Sequence, residues 1–438
     1  MNNSFTERKT LFIDENGKLV IGGKSAEELV KKYGTPLYVF DKTHIEDVCR
    51  TYKDSLKKYY GEGLVCYASK AFCCKEIYRI VGSVGLGADF VSGGELYTAK
   101  SVDFSCEKLV FHGNNKTEKE IIEAVSYDVG RIVIDSVSEA EFLSDICSKT
   151  GKEQDVLLRV NVGVEAHTHH FVQTATPDSK FGFSLSNGDG FAVTEKILKM
   201  PNLRLVGYHS HIGSQIFDTK AFLIAIEKLA RAYKTIKDTL GVEFGELNLG
   251  GGIGIRYTNA DPVMKLSDYE EFVKMICEKV KSSFSGLSLK LPFLILEPGR
   301  SIVGEAGVTL YSVGNVKKIK GVKNYVAVDG GMFDNPRFAL YQAKYSAILA
   351  GRANDKVTGV YSIAGKCCES GDIICEDVSL PEPKKGDVLA VFSTGAYNYS
   401  MASNYNRNCI PPVVMVSDGK DYLAVKGQTY DDVVNNDI

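Results

Sequence analysis

Eight short β-rich runs alternate with amphipathic stretches between about residues 38 and 300. The runs occupy residues 64–69, 86–91, 108–112, 131–135, 156–162, 205–211, 246–250 and 293–297. Helical patterns between them include residues 117–127, 138–149, 220–240 and 267–283. In one of these, Ser138-Glu-Ala-Glu141 has the form of a capping box that opens a helix. Continuously apolar strands separated by helices, repeated eight times, predict a parallel (β/α)8 TIM-like barrel.

The chain changes character after residue 300, where short alternating runs replace the long helical patterns. These runs cover residues 307–316, 325–329, 360–363, 388–393, 412–417 and 422–425. They predict an all-β domain of the β-sandwich or β-barrel kind, and residues 10–22 show a strand–turn–strand pattern that we expect to pack with it. A chain of 438 residues also exceeds one small core. We therefore predict N-terminal strands in 1–37, the barrel in 38–300 and a C-terminal β domain in 301–438.

Composition excludes several classes of protein. The net charge of −3 provides no basic surface for nucleic acid, and no stretch approaches the length of an apolar membrane span. The first residues lack the apolar core of a secretory signal. Eleven cysteines without disulfide-like spacing favour reduced thiols. We expect a cytoplasmic protein that acts on a small molecule, without nucleic-acid or membrane partners.

Polar residues follow the predicted strands at the barrel edge where catalytic groups are found. Lys70 ends the first strand, Asp89 lies in the second, His112 ends the third and Asp135 ends the fourth. A lysine in the apolar mouth of a barrel favours its neutral amine, which can form a Schiff base with a carbonyl. A solvated lysine just past a strand end is the simpler interpretation of Lys70 alone, so the other strand ends must decide.

Three glycines follow the seventh strand, at Gly250, Gly251 and Gly252, and Arg300 lies just beyond the eighth. Backbone amides in such a run can close around an anion, and the loops after strands 7 and 8 of a barrel often bind phosphate. A tight turn explains three glycines equally well. Their position beside Arg300 favours a phosphate site.

His209 and His211 lie two residues apart, so both point to the same side of the sixth strand. They are compatible with a hydrogen-bonded core pair, with a metal site or with an imidazole stacked on a planar cofactor. A metal would need further ligands, which His167, His169 and His170 could supply from a loop. Because that loop is not a strand end, we favour stacking over a metal and predict no metal site.

Glu297 ends the apolar eighth strand, where an unpaired carboxylate is costly. A protonated pyridine nitrogen would pair with it, although Arg300 could do so instead. The lysine, the phosphate cradle, the stacking histidine and this carboxylate together describe a binding site for pyridoxal 5'-phosphate.

Nine motifs in this order resemble those of the diaminopimelate decarboxylase family, within the fold type III pyridoxal-phosphate enzymes. The motifs are Tyr67-Ala-Ser-Lys70, Ser92-Gly-Gly-Glu95, Gly163-Val-Glu-Ala-His167, Asp178-Ser-Lys-Phe-Gly-Phe183, His209-Ser-His-Ile-Gly-Ser-Gln215, Gly250-Gly-Gly252, Glu297-Pro-Gly-Arg300, Cys368-Glu-Ser-Gly-Asp372 and Gly395-Ala-Tyr397. The resemblance extends from about residue 36 to the C-terminus and implies a barrel followed by a β domain.

The resemblance also implies a role for each matched residue. Lys70 would hold the cofactor covalently, His211 would stack on its ring and Glu297 would keep the pyridine nitrogen protonated. The remaining cofactor-binding residues would be Asp89, Ser214, Gly251, Gly252, Gly299, Arg300 and Tyr397. Cys368 would protonate the intermediate after carbon dioxide leaves, from the partner subunit of a homodimer with shared active sites. The catalytic residues would thus be Lys70, Cys368 and His211.

The substrate residues implied by the resemblance favour a dicarboxylic amino acid. Arg337 and Tyr341, after Val328-Asp-Gly-Gly-Met332, would bind the distal carboxylate, and Arg300 and Glu369 would hold the distal carboxylate and amine. Tyr397 would also belong to the substrate-binding residues. Two arginines suit a carboxylate, whereas decarboxylases of basic amino acids would place acidic groups there. The implied reaction is decarboxylation of meso-2,6-diaminopimelate to L-lysine and carbon dioxide, the last step of lysine biosynthesis.

Three other hypotheses remain open at this point. Another amino acid or a polyamine precursor is one possible substrate, and Arg337 argues against it. A metal-dependent barrel hydrolase would use His209 and His211, and its colourless protein would distinguish it from a pyridoxal-phosphate enzyme. A non-catalytic relative would be expected to lack Lys70 or Cys368, and both are present.

Overall fold

The computed structural model describes residues 4–164 and 179–438, which form two compact units. The first unit contains the chain up to Asp47 together with Ile255–Met264 and Arg300–Ile438. The second contains Val48–Gly254 and Lys265–Gly299. The barrel therefore lies in the second unit and the β domain in the first.

The N-terminal segment forms a small sheet, one helix, a strand and a long helix. In chain order these are β1 (Glu7–Arg8), β2 (Leu11–Ile13), β3 (Leu19–Ile21), β4 (Lys24–Ser25), α1 (Ala26–Tyr33), β5 (Leu37–Asp41) and α2 (Lys42–Tyr59). The first four strands pair antiparallel in order. Leu11 and Leu19 pack in one apolar core with Leu310, Phe392 and Val414, which belong to the C-terminal β domain.

The second unit is built on a closed parallel barrel. Its strands are β6 (Gly63–Ala68), β7 (Gly87–Phe90), β8 (Leu109–Phe111), β9 (Arg131–Ile134), β10 (Gln154–Asn161), a short added strand β11 (Phe183–Ser184), β12 (Leu203–His209), β13 (Glu246–Asn248) and β14 (Phe293–Leu296). Each barrel strand pairs in parallel with the next, and β14 pairs with β6 to close the ring. All eight predicted strands are present, and the predicted TIM-like barrel is confirmed.

Helices follow the barrel strands. They are α3 (Lys75–Val84), α4 (Gly93–Lys100), α5 (Glu118–Ser126), α6 (Val137–Thr150), α7 (Asp189–Ile197), α8 (Lys220–Leu240) and α9 (Leu266–Gly286). The predicted capping residue of this helix, Ser138, is wrong by two residues. Ser136 is the N-cap of α6, and its hydroxyl accepts the backbone N–H of Glu139 at 3.1 Å. Ser136 and Ser138 both carry a hydroxyl that could cap a helix. The helix begins at Val137, soon after β9 ends, so Ser136 is the capping residue.

The C-terminal part of the chain is mostly β structure. Its elements are α10 (Arg300–Val303), β15 (Gly307–Ile319), β16 (Lys323–Val328), α11 (Arg337–Tyr341), β17 (Ala347–Leu349), β18 (Gly359–Ala364), β19 (Ile373–Leu380), β20 (Val388–Phe392), β21 (Val413–Ser417), β22 (Lys420–Val425) and α12 (Tyr430–Val434). β5 enters this sheet, antiparallel to β15 and parallel to β21. The predicted β domain after the barrel is confirmed.

Two segments differ from the predicted division at 37/38 and 300/301. β5, Leu37–Asp41, crosses the predicted boundary at 37/38 but belongs to the β domain, where all five of its residues are buried. Ile255 and Tyr257 follow the seventh barrel strand yet pack in the apolar core of the β domain with Tyr311. An apolar strand has the same sequence pattern in the barrel and in the β domain. The pattern alone therefore could not show to which of the two domains these segments belong.

A buried ion pair fixes the loop after β8 to helix α6. Lys116 Nζ donates to Glu139 Oε1 and to the carbonyl oxygens of Gly113 and Val133, at 2.8, 2.8 and 2.6 Å. Burial lowers the pKa of Lys116 and raises that of Glu139, while the attraction between the two opposes both shifts. With all three ammonium protons used, Lys116 is a structural residue and not a ligand-binding one.

We expect Lys116→Met to destabilise the barrel by about 3–5 kcal/mol, because it leaves the Glu139 carboxylate buried and unpaired. Urea unfolding of the purified variant, followed by far-ultraviolet circular dichroism, measures the change. The double variant Lys116→Met/Glu139→Leu should recover most of the loss, since it removes both charges. Equal stability of the single variant and the unchanged protein would contradict the structural role.

Candidate active site

The carboxylate of Glu297, at the end of β14, lies in a ring of buried hydrogen-bond donors. His112 Nε2 and Asn248 Nδ2 contact its Oε1 at 2.8 and 2.7 Å, and His209 Nε2 lies 3.3 Å from Oε2. These side chains come from β8, β13 and β12, whose ends meet at one edge of the barrel. Parallel strands in register thus bring residues far apart in sequence to one carboxylate.

Electrostatics keep Glu297 ionised and its histidine neighbours neutral. Burial alone would raise the pKa of Glu297, but His112 and His209 hold it well below the usual range. Burial lowers the pKa of His112, and it lowers that of His209 to about 3. The donors around Glu297 are therefore neutral groups, which leaves its negative charge available for a cation such as a protonated ring nitrogen.

Asp89, on β7, is the second buried carboxylate of this region. Burial raises its pKa well above the usual value, repulsion from Glu297 raises it further, and the positive charge of Lys70 opposes the rise. Two neighbouring carboxylates in a low dielectric do not both ionise easily. Because its pKa is lowered while that of Asp89 is raised, Glu297 is the carboxylate of the pair that ionises more readily.

Lys70 lies in a short 3-10 turn, Ser69–Ala71, directly after β6. Its side chain is exposed, in contrast to the apolar surroundings expected from the sequence. Its charge nevertheless acts on the pKa of Asp89, Glu95 and His211, so the amine lies close to the polar end of the barrel. The structure thus places Lys70 at the predicted strand end with an open approach from solvent.

The glycine run after β13 packs against the segments that follow two other strands, β12 and β14. A Cβ on Gly250 would lie 2.9 Å from His211 Nδ1, one on Gly251 would lie 2.1 Å from the Glu297 carbonyl oxygen, and one on Gly252 would lie 2.3 Å from that of Gly213. Gly250 and Gly252 also have φ values of +63° and +126°. Only glycine fits this turn, which provides a backbone cradle without side chains.

The cradle is held beside the loop that carries Ser214. Ile216 and Ile253 form a parallel bridge, with Ile216 N–H donating to Gly252 O and Gly254 N–H to Ile216 O, both at 2.9 Å. Gly299 packs against the end of β6, where its Cβ would lie 2.7 Å from that of Ala68. The structure therefore brings His211, the glycine run, Glu297 and Gly299 together, as the sequence predicted.

These features fit pyridoxal phosphate. The glycine positions of the cradle leave no space for side chains, so their backbone can approach a ligand closely. The buried carboxylate of Glu297 is surrounded by neutral donors. His209 Nδ1 is buried without a hydrogen-bond partner in the described residues. An anionic group at the glycine amides and a ring nitrogen at Glu297 would complete this polar set. The donor chemistry of the site matches the cofactor predicted from the sequence.

The possible metal ligands that the structure brings together differ from the pair His209 and His211 expected from the sequence. His112, His209 and Glu297 place one possible ligand atom each within 4.8 Å of one another, whereas His211 is not part of the set. The contact of 2.8 Å between His112 and Glu297 has the length of a hydrogen bond. His167, His169 and His170, with the motifs that begin at Gly163 and Asp178, fall wholly or partly outside the described residues.

The β-domain unit contributes a second cluster, with two buried arginines at its centre. The hydroxyl of Tyr257 accepts a hydrogen bond of 2.5 Å from Arg300 Nη1, and the guanidinium of Arg300 lies 4.8 Å from the ring centre of Tyr397. Arg337, the first residue of α11, lies 4.8 Å from the ring centre of Tyr257 and donates from Nη1 to Tyr345. The sequence predicted both arginines and Tyr397 but neither Tyr257 nor Tyr345.

Three predicted substrate or catalytic residues lie outside this cluster. Tyr341 is half-buried, and no hydrogen bond joins it to Arg337 in the described part of the chain. Cys368 and Glu369 are exposed on the loop between β18 and β19. The backbone N–H of Cys368 donates to Asn406 Oδ1 at 2.9 Å, so the loop is ordered by contacts within the same unit.

Left-handed backbone conformations occur at or beside predicted site residues. Tyr397 has a φ of +61°, Gln215 follows Ser214 with +61°, and Gln342 follows Tyr341 with +51°. A non-glycine residue in this region costs free energy, and such strain concentrates at functional sites. The sequence did not predict these conformations, because none of the three residues is a glycine.

Comparison with known proteins identifies the family. Residues 42–304 match the pyridoxal binding domain of the pyridoxal-dependent decarboxylases. The chain is 48% identical to the diaminopimelate decarboxylase of Bacillus subtilis, over 97% of this chain and 96% of the relative. It belongs to the diaminopimelate decarboxylase family. The corresponding Staphylococcus aureus enzyme is 44% identical over 98% and 99% of the two chains.

Solved structures of diaminopimelate decarboxylases share the whole architecture. The diaminopimelate decarboxylase from M. jannaschii, solved in co-complex with L-lysine, is 35% identical to this chain with a TM-score of 0.89. The match covers 98% of each chain. Membership of this family confirms the recognised resemblance, the two-part fold, the class of pyridoxal-phosphate-dependent carboxy-lyase and the cofactor.

Sequence reasoning missed two residues of the site, Asn248 and Tyr257, and it gave His112 no role. Asn248 is a fully buried amide at the end of β13, and a buried amide is itself a signal of a specific hydrogen bond. His112 was recognised at a strand end without a partner. Tyr257 carried no such signal, because it lies in the loop segment after the glycine run.

Proposed function

We propose that this protein decarboxylates meso-2,6-diaminopimelate to L-lysine and carbon dioxide, the last step of lysine biosynthesis. Its nearly full-length relatives are named diaminopimelate decarboxylases. The observation that carries the proposal within the structure is the pair of buried guanidiniums at Arg300 and Arg337. No carboxylate forms an ion pair with Arg337 in the described residues, so a substrate carboxylate is the anion that this site would bind.

Bound pyridoxal phosphate supplies an electron sink for the pair of electrons that remains when a carboxylate leaves as carbon dioxide. Lys70 is the residue that would hold it covalently. Glu297, whose pKa is lowered by His112 and His209, would hold a proton on the ring nitrogen. His211 would face the ring, and the backbone amides of the glycine run, with Ser214, would bind the phosphate.

Substrate choice would rest on the β-domain unit. Arg300 and Arg337 would bind the carboxylate that is retained in the product, assisted by Tyr341 and Tyr397, and Glu369 would hold the amine beside that carboxylate. An enzyme for ornithine or arginine needs an acidic group for a cationic side-chain end, and a buried arginine pair disfavours that charge. This reasoning favours diaminopimelate over the basic amino acids.

Cys368 and Glu369 would act in the active site of a partner subunit. Both are exposed in the single chain, and Cys368 is not among the groups that contact Arg300 or Arg337. A homodimer with shared sites would cover them, and Cys368 would deliver a proton to the carbon atom that has lost carbon dioxide. All eleven cysteines are free thiols, which supports a reducing, cytoplasmic location. No helix among the described residues has the length and apolar character needed to span a membrane.

Parallel assays of the purified protein with meso-diaminopimelate, ornithine, arginine and lysine test the proposed reaction. Release of carbon dioxide from diaminopimelate alone, with formation of lysine, is the expected result. Greater turnover of any basic amino acid would refute the substrate assignment.

Arg337→Ala should raise the KM for diaminopimelate by roughly 10- to 100-fold, because a charge-assisted contact with the substrate carboxylate is lost. Cofactor occupancy, measured by absorbance at the edge of the visible range, should stay within about twofold of the unchanged protein. Arg352→Ala is the matched control, since Arg352 pairs with Asp355 and Asp387 on the same unit. A loss of bound cofactor without a change in KM would contradict the role of Arg337.

A further inference from the structure

Tyr257 contacts both buried arginines of the β-domain unit, although nothing in the family resemblance marked it. We propose that Tyr257 is a positioning residue that sets the spacing and orientation of Arg300 and Arg337 for a ligand carboxylate. The inference rests on the proposed function, since it concerns the carboxylate that the substrate and the product L-lysine share. It adds a specificity-determining residue that acts through the two arginines.

The two arginines use different parts of the same side chain. Arg300 donates from Nη1 to the Tyr257 hydroxyl at 2.5 Å, while the guanidinium carbon of Arg337 lies 4.8 Å from the centre of the Tyr257 ring. Each exposes only 7% of its surface. Removing the hydroxyl should loosen the hold on Arg300, and removing the whole ring should loosen the hold on both arginines.

Tyr257 is itself held firmly by the loop that follows the glycine run. Asp261 accepts the backbone N–H groups of Tyr257 and Thr258 with one oxygen, Oδ2, at 3.1 and 2.8 Å. The Tyr257 ring packs edge-on against Tyr345, with 5.4 Å between their centres. The phenol is therefore a rigid element, as a positioning residue requires.

A second tyrosine completes the support of Arg337. Tyr345 accepts a hydrogen bond of 2.5 Å from Arg337 Nη1, and its hydroxyl lies 3.4 Å from Asn398 Oδ1. Burial raises the pKa of Tyr345 to about 12, so its hydroxyl stays protonated at neutral pH and can donate to Asn398 while it accepts from Arg337. Both arginines are thus oriented by phenols.

The neutral phenols hold the guanidinium groups without cancelling their positive charge, as carboxylates in the same places would do. A phenol accepts the guanidinium hydrogen bond and leaves the positive charge uncompensated, whereas an aspartate or glutamate would neutralise it. The desolvated charge of Arg337, which forms no ion pair with a carboxylate in the described residues, then favours an anion in the remaining donor positions. The preference should apply to any ligand with a carboxylate and vanish for a ligand without one.

L-lysine and 1,5-diaminopentane are the probes that separate these cases, because diaminopentane is lysine without its carboxylate. Their inhibition constants against diaminopimelate turnover are measured for the holoenzyme with Tyr257 unchanged, Tyr257→Phe and Tyr257→Leu. We expect Tyr257→Phe to raise the lysine constant about 10-fold and Tyr257→Leu to raise it further. The diaminopentane constant should stay within about twofold, and kcat should change less than KM.

Tyr361→Phe is the matched control. Tyr361 belongs to the same apolar core, but no hydrogen bond or ring contact joins it to either arginine in the described residues. Both inhibition constants of this variant should equal those of the unchanged protein. Arg300→Lys combined with Tyr257→Phe should weaken lysine binding no more than Arg300→Lys does alone, because the tyrosine hydroxyl acts through that arginine.

The outcomes separate the positioning role from the proposed reaction. Equal shifts of both inhibition constants, no shift of either, or additive effects of the two substitutions would overturn the role of Tyr257. Absence of diaminopimelate turnover in the unchanged protein would instead overturn the proposed function. A thermal midpoint of Tyr257→Phe close to that of Tyr361→Phe excludes general unfolding as the cause of a selective loss of lysine binding.

Discussion

Lys70→Ala is expected to abolish the absorbance at the edge of the visible range that covalently held pyridoxal phosphate gives the purified protein. Turnover of diaminopimelate should fall by roughly three orders of magnitude or more, because the attachment amine is lost. The reason lies in the position of Lys70, directly after β6 and near the buried carboxylates of Asp89 and Glu297. Absorbance spectra and a carbon dioxide release assay on the same preparation measure both effects.

Lys75→Ala is the control for this prediction. Lys75 is an exposed lysine five residues further along, at the start of α3, and carries no proposed role. Its variant should keep both the absorbance and the turnover. Mass spectrometry after treatment with a hydride reducing agent should also locate the cofactor on the peptide that contains Lys70. A cofactor mass on another lysine would refute the assignment.

Cys368→Ala should keep the absorbance of the bound cofactor while turnover falls by about 10²- to 10⁴-fold, the range expected when a general acid is removed. Cys367→Ala is the matched control. Cys367 is half-buried, and its Sγ lies 3.7 Å from Asn408 Nδ2, so it is held within its own unit. Unchanged turnover of Cys368→Ala would remove its role as the proton donor.

A mixture of two inactive variants tests whether the site is shared between subunits. When Lys70→Ala and Cys368→Ala chains are co-expressed in equal amounts, each mixed dimer has one complete site and one doubly defective site. Random pairing should therefore restore about a quarter of the unchanged activity. Activity no higher than that of the separate variants would show that Lys70 and Cys368 act within one chain.

The barrel was predictable because its signal is local and repeated. Each apolar run and the helix after it can be recognised in about 20 residues, and eight such units leave few alternatives to a closed parallel sheet. β5 shows the limit of this reasoning. Its apolar run, Leu37–Asp41, resembles a barrel strand but pairs in the β domain, because strand pairing depends on which partner edge is free.

The site was predictable to the extent that it depends on strand ends. Lys70, Asp89, His211 and Glu297 were named from their positions after apolar runs, and the structure places them at the ends or edges of barrel strands. The neutral hydrogen-bond donors around Glu297 were not predictable, whereas the exposed state of Lys70 agrees with the solvated interpretation of that residue alone. Exposure and hydrogen bonding depend on neighbours that a single strand does not contain.

The sequence by itself determined the eight barrel strands, the β domain and the residues at the strand ends. It could do so because the periodicity of a strand or helix can be recognised within a short stretch of chain. Only the tertiary structure decided which partners those residues meet. His112 and Glu297 are 185 positions apart and Arg300 and Tyr257 are 43 apart, yet each pair is in hydrogen-bond contact. Such contacts are set by the register of the barrel and the packing of loops, which no local pattern encodes.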